Sequence, residues 1–264
     1  MFNNLGKINL PHLGLIKSIG SPIENSTSYY PITTQADLVR ISSPDSSKKA
    51  DVYLNSVGVS IKQSGGSFAF NRLQRAEAPA LFREIGFSNV EAKLARLDRE
   101  VRHFHEGGLS TRSRPWEDFF TESDFKTLLE YLMMKGSPNL GLSKHPAKYI
   151  LEASGISGFS LKTMQPSSQW KINVYSFEEY FSKYKYDLKI GVRRQWYGQK
   201  SKSEHGRATG LINKPGNEPW IFNNVAGHPR DGWREEIPEK ERKTAYFLMV
   251  EKLPNRNSGL GKLI

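Results

Sequence analysis

Hydrophobic and polar residues alternate in two short segments just after residue 50, and this pattern predicts a pair of β-strands. The segments Asp51–Leu54 and Val57–Gln63 flank Asn55-Ser56, a dipeptide suited to a tight hairpin turn. The preceding fifty residues mix turn formers with short β-like pieces such as 38–41. We therefore expect a hairpin at about residues 50–64.

Helical spacing replaces this alternation further along the chain. Ser88-Asn-Val-Glu91 is a capping-box sequence, and the apolar residues that follow keep a helical period until Gly107. A second helix is expected from about residue 121 to Gly136, and a short third helix at 147–153. These apolar stripes are typical of a helix face that packs on a core.

The C-terminal third of the chain predicts mainly strands. They are expected at 170–175, 187–197 and 244–253, with a short capped helix beginning after Ser176. No internal repeat and no long linker divides the sequence. The order of strands, helices and strands therefore predicts an α/β (α+β) fold in one domain over residues 1–264, with a mixed central β-sheet flanked by helices.

Composition narrows the class of protein. The sequence has 264 residues, of which 37% are hydrophobic, and no cysteine, so disulfide scaffolds and cysteine-based chemistry are excluded. No apolar run approaches the ~20 residues of a membrane span, and no secretory signal is evident, so we expect a cytoplasmic protein without a membrane partner. Lysine and arginine number 38 against 27 acidic residues, a net charge of +11, which favours a polyanionic partner.

The predicted hairpin carries the candidate chemistry. Ser60 and Lys62 alternate with Ile61, so they point to one face of their strand, and Asp51 on the neighbouring strand lies beside that face. A carboxylate next to an ammonium suits metal-assisted phosphodiester hydrolysis, in which Mg²⁺ polarises the phosphate and activates water. An exposed hairpin with a surface ion pair is the structural alternative.

This arrangement resembles the PD-(D/E)XK nucleases, above all the type II restriction endonucleases, over about residues 50–75. Their signature is an aspartate, a hairpin-length gap and an acidic-x-lysine triplet, and here Ser60 replaces the second acid. The resemblance implies a Mg²⁺-dependent, site-specific cleavage of double-stranded DNA in a prokaryotic restriction-modification system. It also implies a homodimer where the site is palindromic. Asp51 would bind the metal, Lys62 would be the catalytic lysine, and Ser60 or Gln63 would line the site.

The missing carboxylate must then come from another element. Glu24 is the candidate for the metal site, and Asp37 is a second upstream acid. Pro44-Asp45 matches the first letters of the motif more literally, but it lies in a serine-rich turn. We therefore prefer Asp51 as the first metal ligand.

Two segments have the composition of DNA-contacting surfaces. The glycine-containing stretch after Lys62 carries residues that suit base edges or phosphates, namely Ser64, Asn71, Arg72, Gln74 and Arg75. The region 183–207 interleaves eight basic residues with aromatic ones, and we expect a strand and a groove-probing loop there. Its candidate contacts are Arg193, Arg194, Gln195, Lys200 and Lys202. A charged edge strand is the alternative for this region.

Histidines offer two weaker alternatives. His103 and His105 with Glu106 have the residue types of a metal site, but residues two apart on a helix point in different directions. His205 and His228 are a possible pair for an HNH-type nuclease. A non-catalytic DNA- or RNA-binding protein is the remaining alternative class, and Mg²⁺-dependent cleavage would separate it from the nuclease.

Overall fold

The computed structural model describes residues 5–42, 48–63, 72–107, 111–137, 140–154, 171–223 and 237–252. The chain divides into two compact units, the first made of residues 1–68, 126–187 and 253–264 and the second of residues 69–125 and 188–252. The chain therefore passes from one unit to the other several times. A single nuclease domain over residues 1–264 stays a prediction.

The secondary structure is mixed. The described strands are β1 (Asn9–Leu10), β2 (Gly14–Leu15), β3 (Ile19–Pro22), β4 (Tyr29–Pro31), β5 (Val52–Leu54), β6 (Val57–Gln63), β7 (Ser113–Pro115), β8 (Tyr149–Ser154), β9 (Lys171–Tyr175), β10 (Leu188–Tyr197), β11 (Ile221–Phe222) and β12 (Lys243–Lys252). The described α-helices are α1 (Ala78–Glu84), α2 (Val90–His105), α3 (Glu122–Glu130), α4 (Phe177–Tyr184) and α5 (Lys202–Ile212). Helix α3 continues as a π-helical turn at Tyr131–Lys135, and shorter 3-10 turns join other elements.

A six-stranded mixed sheet organises the first unit. Its strand order is β4-β3-β5-β6-β8-β9, and the β6–β8 pair is parallel whereas the other neighbours are antiparallel. Asn55 and Ser56 join β5 to β6 with φ angles of 49° and 64°, so both adopt the left-handed conformation that a type I′ hairpin turn requires. The predicted hairpin and the mixed sheet flanked by helices are confirmed.

The two faces of this sheet differ in composition. Apolar side chains on one face, such as Val52, Leu54, Val59 and Leu151, join a buried core with Ile16 and its neighbours. Because side chains alternate along a strand, the residues between them face the opposite side. The alternation thus places the polar residues of β6 and β8 together on the second face.

A four-stranded sheet, ordered β11-β12-β10-β7, organises the second unit. The long strands β10 and β12 pair antiparallel over ten residues each. Leu211 of α5 packs with Ala245 and Phe247 on one face, whereas Phe104 of α2 meets Tyr246 on the other. The sheet therefore lies between α5 and α2.

Four local expectations were wrong. Residues 38–41 belong to a 3-10 turn at Gln35–Ser42 and not to a strand. Helix α2 begins after Asn89, which has a φ of 49° and no capping side-chain hydrogen bond, so the Ser88 capping box does not form. The expected helix at 147–153 is strand β8, because β6 offers it a parallel edge. Lys202 begins helix α5 in place of a loop, and Ser201 caps that helix.

The sequence predicts no segment long and apolar enough to span a membrane. Among the helices of the described segments, none combines the length and the apolar character that a bilayer crossing requires.

Candidate active site

The hairpin brings Asp51, Ser60 and Lys62 to one face of the six-stranded sheet. Val52 pairs with Val59, so Asp51, which directly precedes β5, lies opposite Ser60. Ser60 and Lys62 then share a face because they are two residues apart on β6. The structure therefore assembles the three residues that the sequence pattern singled out.

Hydrogen bonds fix the Asp51 carboxylate against β6. Its Oδ2 accepts the main-chain N–H of Ile61 at 2.6 Å and the Ser60 hydroxyl at 3.3 Å. The Asp51 N–H in turn donates to the carbonyl of Val59 at 2.9 Å. A carboxylate accepts more than two hydrogen bonds, so this exposed group keeps capacity for a further ligand.

Two lysines lie close together, and one of them, Lys62, is near this carboxylate. Burial lowers the pKa of the half-buried Lys62 ammonium, although the nearby Asp51 charge opposes the change. Lys49 is 7% exposed, and burial together with the Lys62 charge lowers its pKa to about 8. Lys49 is not recognisable as a site residue from the sequence, since adjacent lysines at 48 and 49 resemble a solvated surface pair.

Glu152 is the residue that sequence reasoning missed. It lies on β8 directly opposite Lys62 in the parallel register, so both side chains share the face of Ser60. Its carboxyl group is buried, with 1% of the residue exposed. The signal in the sequence is a single acid inside the apolar run Tyr149–Ala153, which is unusual for a strand core unless the acid has partners.

Tyrosines of α4 surround this buried carboxylate. The Tyr184 hydroxyl donates a hydrogen bond to Glu152 Oε2. Burial, and then this hydrogen bond, raise the pKa of the Tyr184 phenol, while burial and the Glu152 charge raise that of Tyr180. A capping box between Ser176 and Glu179 stabilises the N-terminus of helix α4. The face therefore combines an exposed carboxylate, a hydroxyl, the lysine Lys62 and a buried carboxylate.

In the described part of the chain, no hydrogen bond or ion pair joins the other predicted metal-site residues to this group. Glu24 is exposed in the turn between β3 and β4, and within the described residues no hydrogen bond or ion pair links it to Asp51. Asp37 instead accepts hydrogen bonds from Thr33 and Thr34 at the start of a 3-10 turn. Gln63 ends β6, but its side chain and all of Asp45 lie outside the described residues. Metal binding by Glu24 stays a prediction.

The segment after the hairpin belongs to the second unit from residue 69 onward. Ser64 and Asn71 lie outside the described residues. Arg72 is exposed, with its guanidinium 5.2 Å from the Phe247 ring centroid. Arg75 instead makes a bidentate ion pair with Asp98, at 2.6 and 3.0 Å, so its guanidinium has an internal partner.

The predicted basic region belongs to the second unit from residue 188 onward, whereas Lys183 and Lys185 belong to the first unit. Arg193 and Arg194 are successive residues of β10, so they point to opposite faces of the sheet and do not form one patch. Arg193 pairs with Glu251, whereas Arg194 lies 4.9 Å from the Trp196 ring centroid. Lys200 and Lys202 are exposed, and Gln195 is buried. Strand β10 has β12 on one side and β7 on the other at 189–191, so it is not an edge strand there.

Among the described residues, the histidines do not assemble a metal site. His103 is exposed, whereas His105 Nδ1 lies 3.1 Å from the Tyr246 hydroxyl and its ring stacks on Phe222. His205 Nδ1 accepts the Gly198 N–H at 3.0 Å, and His228 lies outside the described residues. In the described ranges, no three histidine or acidic side chains come together as a metal-binding group.

No family model, curated protein or solved structure matches the chain. The interpretation of the site therefore rests on its geometry.

Proposed function

We propose that this chain is a Mg²⁺-dependent endonuclease that hydrolyses phosphodiester bonds in double-stranded DNA at a specific site. In this proposal the first unit has a restriction-endonuclease-like arrangement. The observation that carries it is the single sheet face shared by Asp51, Ser60, Lys62 and Glu152. Acid and lysine on one face of a hairpin are the groups that phosphodiester hydrolysis needs.

The donor groups on this face suit Mg²⁺, which prefers hard oxygen ligands. Asp51 would hold the ion through its exposed carboxylate, and Glu152 supplies the second negative charge that Ser60 does not provide. Mg²⁺ bound there would polarise the phosphate and lower the pKa of an attacking water. Among the described residues, Asp51 and Glu152 are not joined by a third acid or histidine in a metal-binding group. Phosphate oxygens and water would therefore complete the coordination of Mg²⁺.

The lysines have a separate role in the proposal. Lys62 stabilises negative charge that develops on the phosphate, an interaction that strengthens towards the transition state. Lys49 adds a second positive charge from within the protein, next to Lys62. Lys49 is buried and Lys62 is half-buried, and their removal from water strengthens their electrostatic effect on a bound phosphate.

The basic balance of the chain supports a nucleic-acid partner. A net charge of +11 attracts the phosphate backbone over long distances. Exposed cations of the second unit, including Arg72, Lys200 and Lys202, are available to it. We further propose a homodimer, since a palindromic site is matched most simply by two-fold protein symmetry.

Plasmid cleavage tests the proposal. Wild-type protein with Mg²⁺ should cut supercoiled plasmid to discrete fragments, and EDTA should prevent it. Asp51→Asn and Lys62→Met should each reduce the single-turnover rate by about 10²–10³-fold. Matched controls are Glu178→Gln, an exposed acid of α4, and Lys171→Met, an exposed lysine of β9, and both should cleave at the wild-type rate.

Two outcomes would contradict the proposal. Retention of DNA without Mg²⁺-dependent cleavage would favour the non-catalytic binding protein. Cleavage that survives Asp51→Asn but not a substitution of His205 would favour the HNH-type alternative. Sedimentation of the wild-type protein with and without DNA tests the homodimer separately.

A further inference from the structure

A pocket in the second unit brings together residues from both segments that the sequence marked as DNA-contacting. Its volume is about 280 Å³. Its lining comes from the chain before α1, from β10 and β12, and from α5 with the residues after it. The lining residues that matter here are Arg72, Gln74, Gln195, Arg207, Lys214 and Phe247.

Positive charge surrounds this pocket. Arg72 and Arg207 are exposed at it, and Lys214 contributes a third cation although it also pairs with Glu77. The described lining includes no carboxylate. A pocket with this charge favours an anionic group, and arginine presents the donor geometry that suits phosphate oxygens.

A buried amide borders the same space. Gln195 lines the pocket and is 9% exposed, and its side-chain Oε1 is covered and has no hydrogen-bond partner among the described residues. A buried polar atom without a partner is destabilising, so a turn of the amide towards the pocket, where a ligand donates to Oε1, is favourable. Gln74 is the second amide of the lining, and its Oε1 accepts a hydrogen bond from Asn217 at 3.4 Å.

Apolar surface completes the pocket. Phe247 and Leu211 are buried at its base, and the Arg72 guanidinium lies over the Phe247 ring. Aromatic rings and guanidinium planes are the surfaces on which nucleobases stack. The volume corresponds to roughly nine water molecules at about 30 Å³ each, which is the scale of a single small ligand.

We propose that this pocket binds one nucleotide, with its phosphate at Arg207 and Arg72 and its base edge at the Gln195 amide. Glutamine pairs with the N6 and N7 atoms of adenine, so adenine is the base we expect. The nucleotide would be unpaired, since an enclosed amide cannot reach a base inside a duplex. The assignment of this nucleotide to DNA rests on the function proposed above. A free nucleotide would present the same phosphate and base to the pocket.

Two glycines of α5 provide a matched pair of variants. Gly210 lines the pocket and Gly206 does not, and a Cβ added at either position meets no atom within 4 Å. Leucine at Gly210 should therefore fill the pocket without disturbing the fold, and leucine at Gly206 should be harmless. Thermal unfolding of both variants verifies that they fold.

Binding is measured by fluorescence anisotropy in EDTA, with a labelled single-stranded oligonucleotide of dA, the same strand as a duplex, and unlabelled dAMP as competitor. Gly210→Leu should weaken single-strand binding at least tenfold, whereas Gly206→Leu should leave it unchanged. Gln195→Met should weaken it about tenfold with the same salt dependence, because it removes an amide and no charge. Arg207→Gln should also lower the salt slope by about 0.7.

The experiment distinguishes a free nucleotide from a nucleotide of DNA as the ligand. It also separates failure of the pocket proposal from failure of the nuclease proposal. Competition by dAMP that is lost in Gly210→Leu would identify a pocket for free nucleotides, and preference for the single strand without such competition would identify a nucleotide of DNA. Equal binding by Gly210→Leu and wild type would overturn the pocket proposal. That result would leave Mg²⁺-dependent cleavage intact, so it is distinguishable from failure of the nuclease proposal.

Discussion

Replacing Lys49 by methionine should stabilise the protein at neutral pH. The ordinary lysine pKa of 10.5 falls to about 8 because the ammonium is buried next to Lys62. One pKa unit corresponds to about 1.4 kcal/mol, so holding the charged form in the folded state costs about 3 kcal/mol. Methionine has a similar length and no charge, so it should recover most of that free energy at pH 7.

The pH dependence identifies the cause. Between about pH 8 and 10.5 the unfolded chain binds more protons at Lys49 than the folded chain, so the free energy of unfolding of the wild type rises with pH in that window. Lys49→Met lacks this rise, so the difference between the two proteins should decline from about 3 kcal/mol towards zero above pH 10.5.

Urea unfolding at pH 7, 8, 9, 10 and 11 measures the difference, and Lys171→Met is the matched control because Lys171 is exposed on β9. A difference that does not vary with pH would show that Lys49 ionises as an ordinary surface lysine. A variant less stable than the wild type at pH 7 would refute the calculation as well.

Further predictions test the surrounding structure. Glu152→Gln keeps the shape of the side chain but removes the charge, so plasmid cleavage should fall by at least about tenfold while the far-UV circular dichroism is unchanged, and exposed Glu178→Gln should have no effect. Ser176→Ala removes the cap of α4 and should lower the free energy of unfolding by about 1 kcal/mol in a urea titration. Arg75→Met leaves the partly buried carboxylate of Asp98 with fewer donors and should cost about 1 kcal/mol, whereas a DNA-contacting arginine would change affinity with little effect on unfolding.

The hairpin was predictable because its signals are local. Asn55-Ser56 lies between two alternating segments, and both turn residues have the positive φ angles that the hairpin requires. Once the hairpin is known, alternation alone places Ser60 and Lys62 on one face. The same local reasoning found the capping box at Ser176, which the structure contains.

Glu152 was not predictable in the same way, because its position depends on a pairing distant in sequence. Strand β8 lies parallel to β6, yet the intervening residues include part of the second unit. A short apolar run such as Tyr149–Ala153 fits a strand or a helix equally well, and the helix predicted there was wrong. Burial of Lys49 has the same origin, since Lys49 packs next to the main-chain carbonyl of His145, to which its N–H donates.

The basic region shows why composition overestimates a binding surface. Eight basic residues lie between 183 and 207 in the sequence, but strand geometry sends Arg193 and Arg194 to opposite faces. The ion pair of Arg193 with Glu251 is likewise invisible in local sequence, since the two residues meet across β10 and β12. The charge count predicts a polyanionic partner, but it does not indicate which cations share one surface of the protein.

The energetics of the candidate site separate a structural role from a functional one. Folded domains are stable by about 5–15 kcal/mol, so about 3 kcal/mol for the charge on Lys49 is a large cost for a group with no function. If Lys49, Lys62 and Glu152 were a structural ion network, apolar replacements of similar volume would stabilise the protein and leave every activity unchanged. If they serve phosphodiester hydrolysis, the same replacements should increase stability and reduce cleavage together. A variant with apolar replacements at Lys49, Lys62 and Glu152 distinguishes the two roles when its unfolding and its plasmid cleavage are both measured. Both roles predict a more stable protein, but only a role in hydrolysis predicts a loss of cleavage.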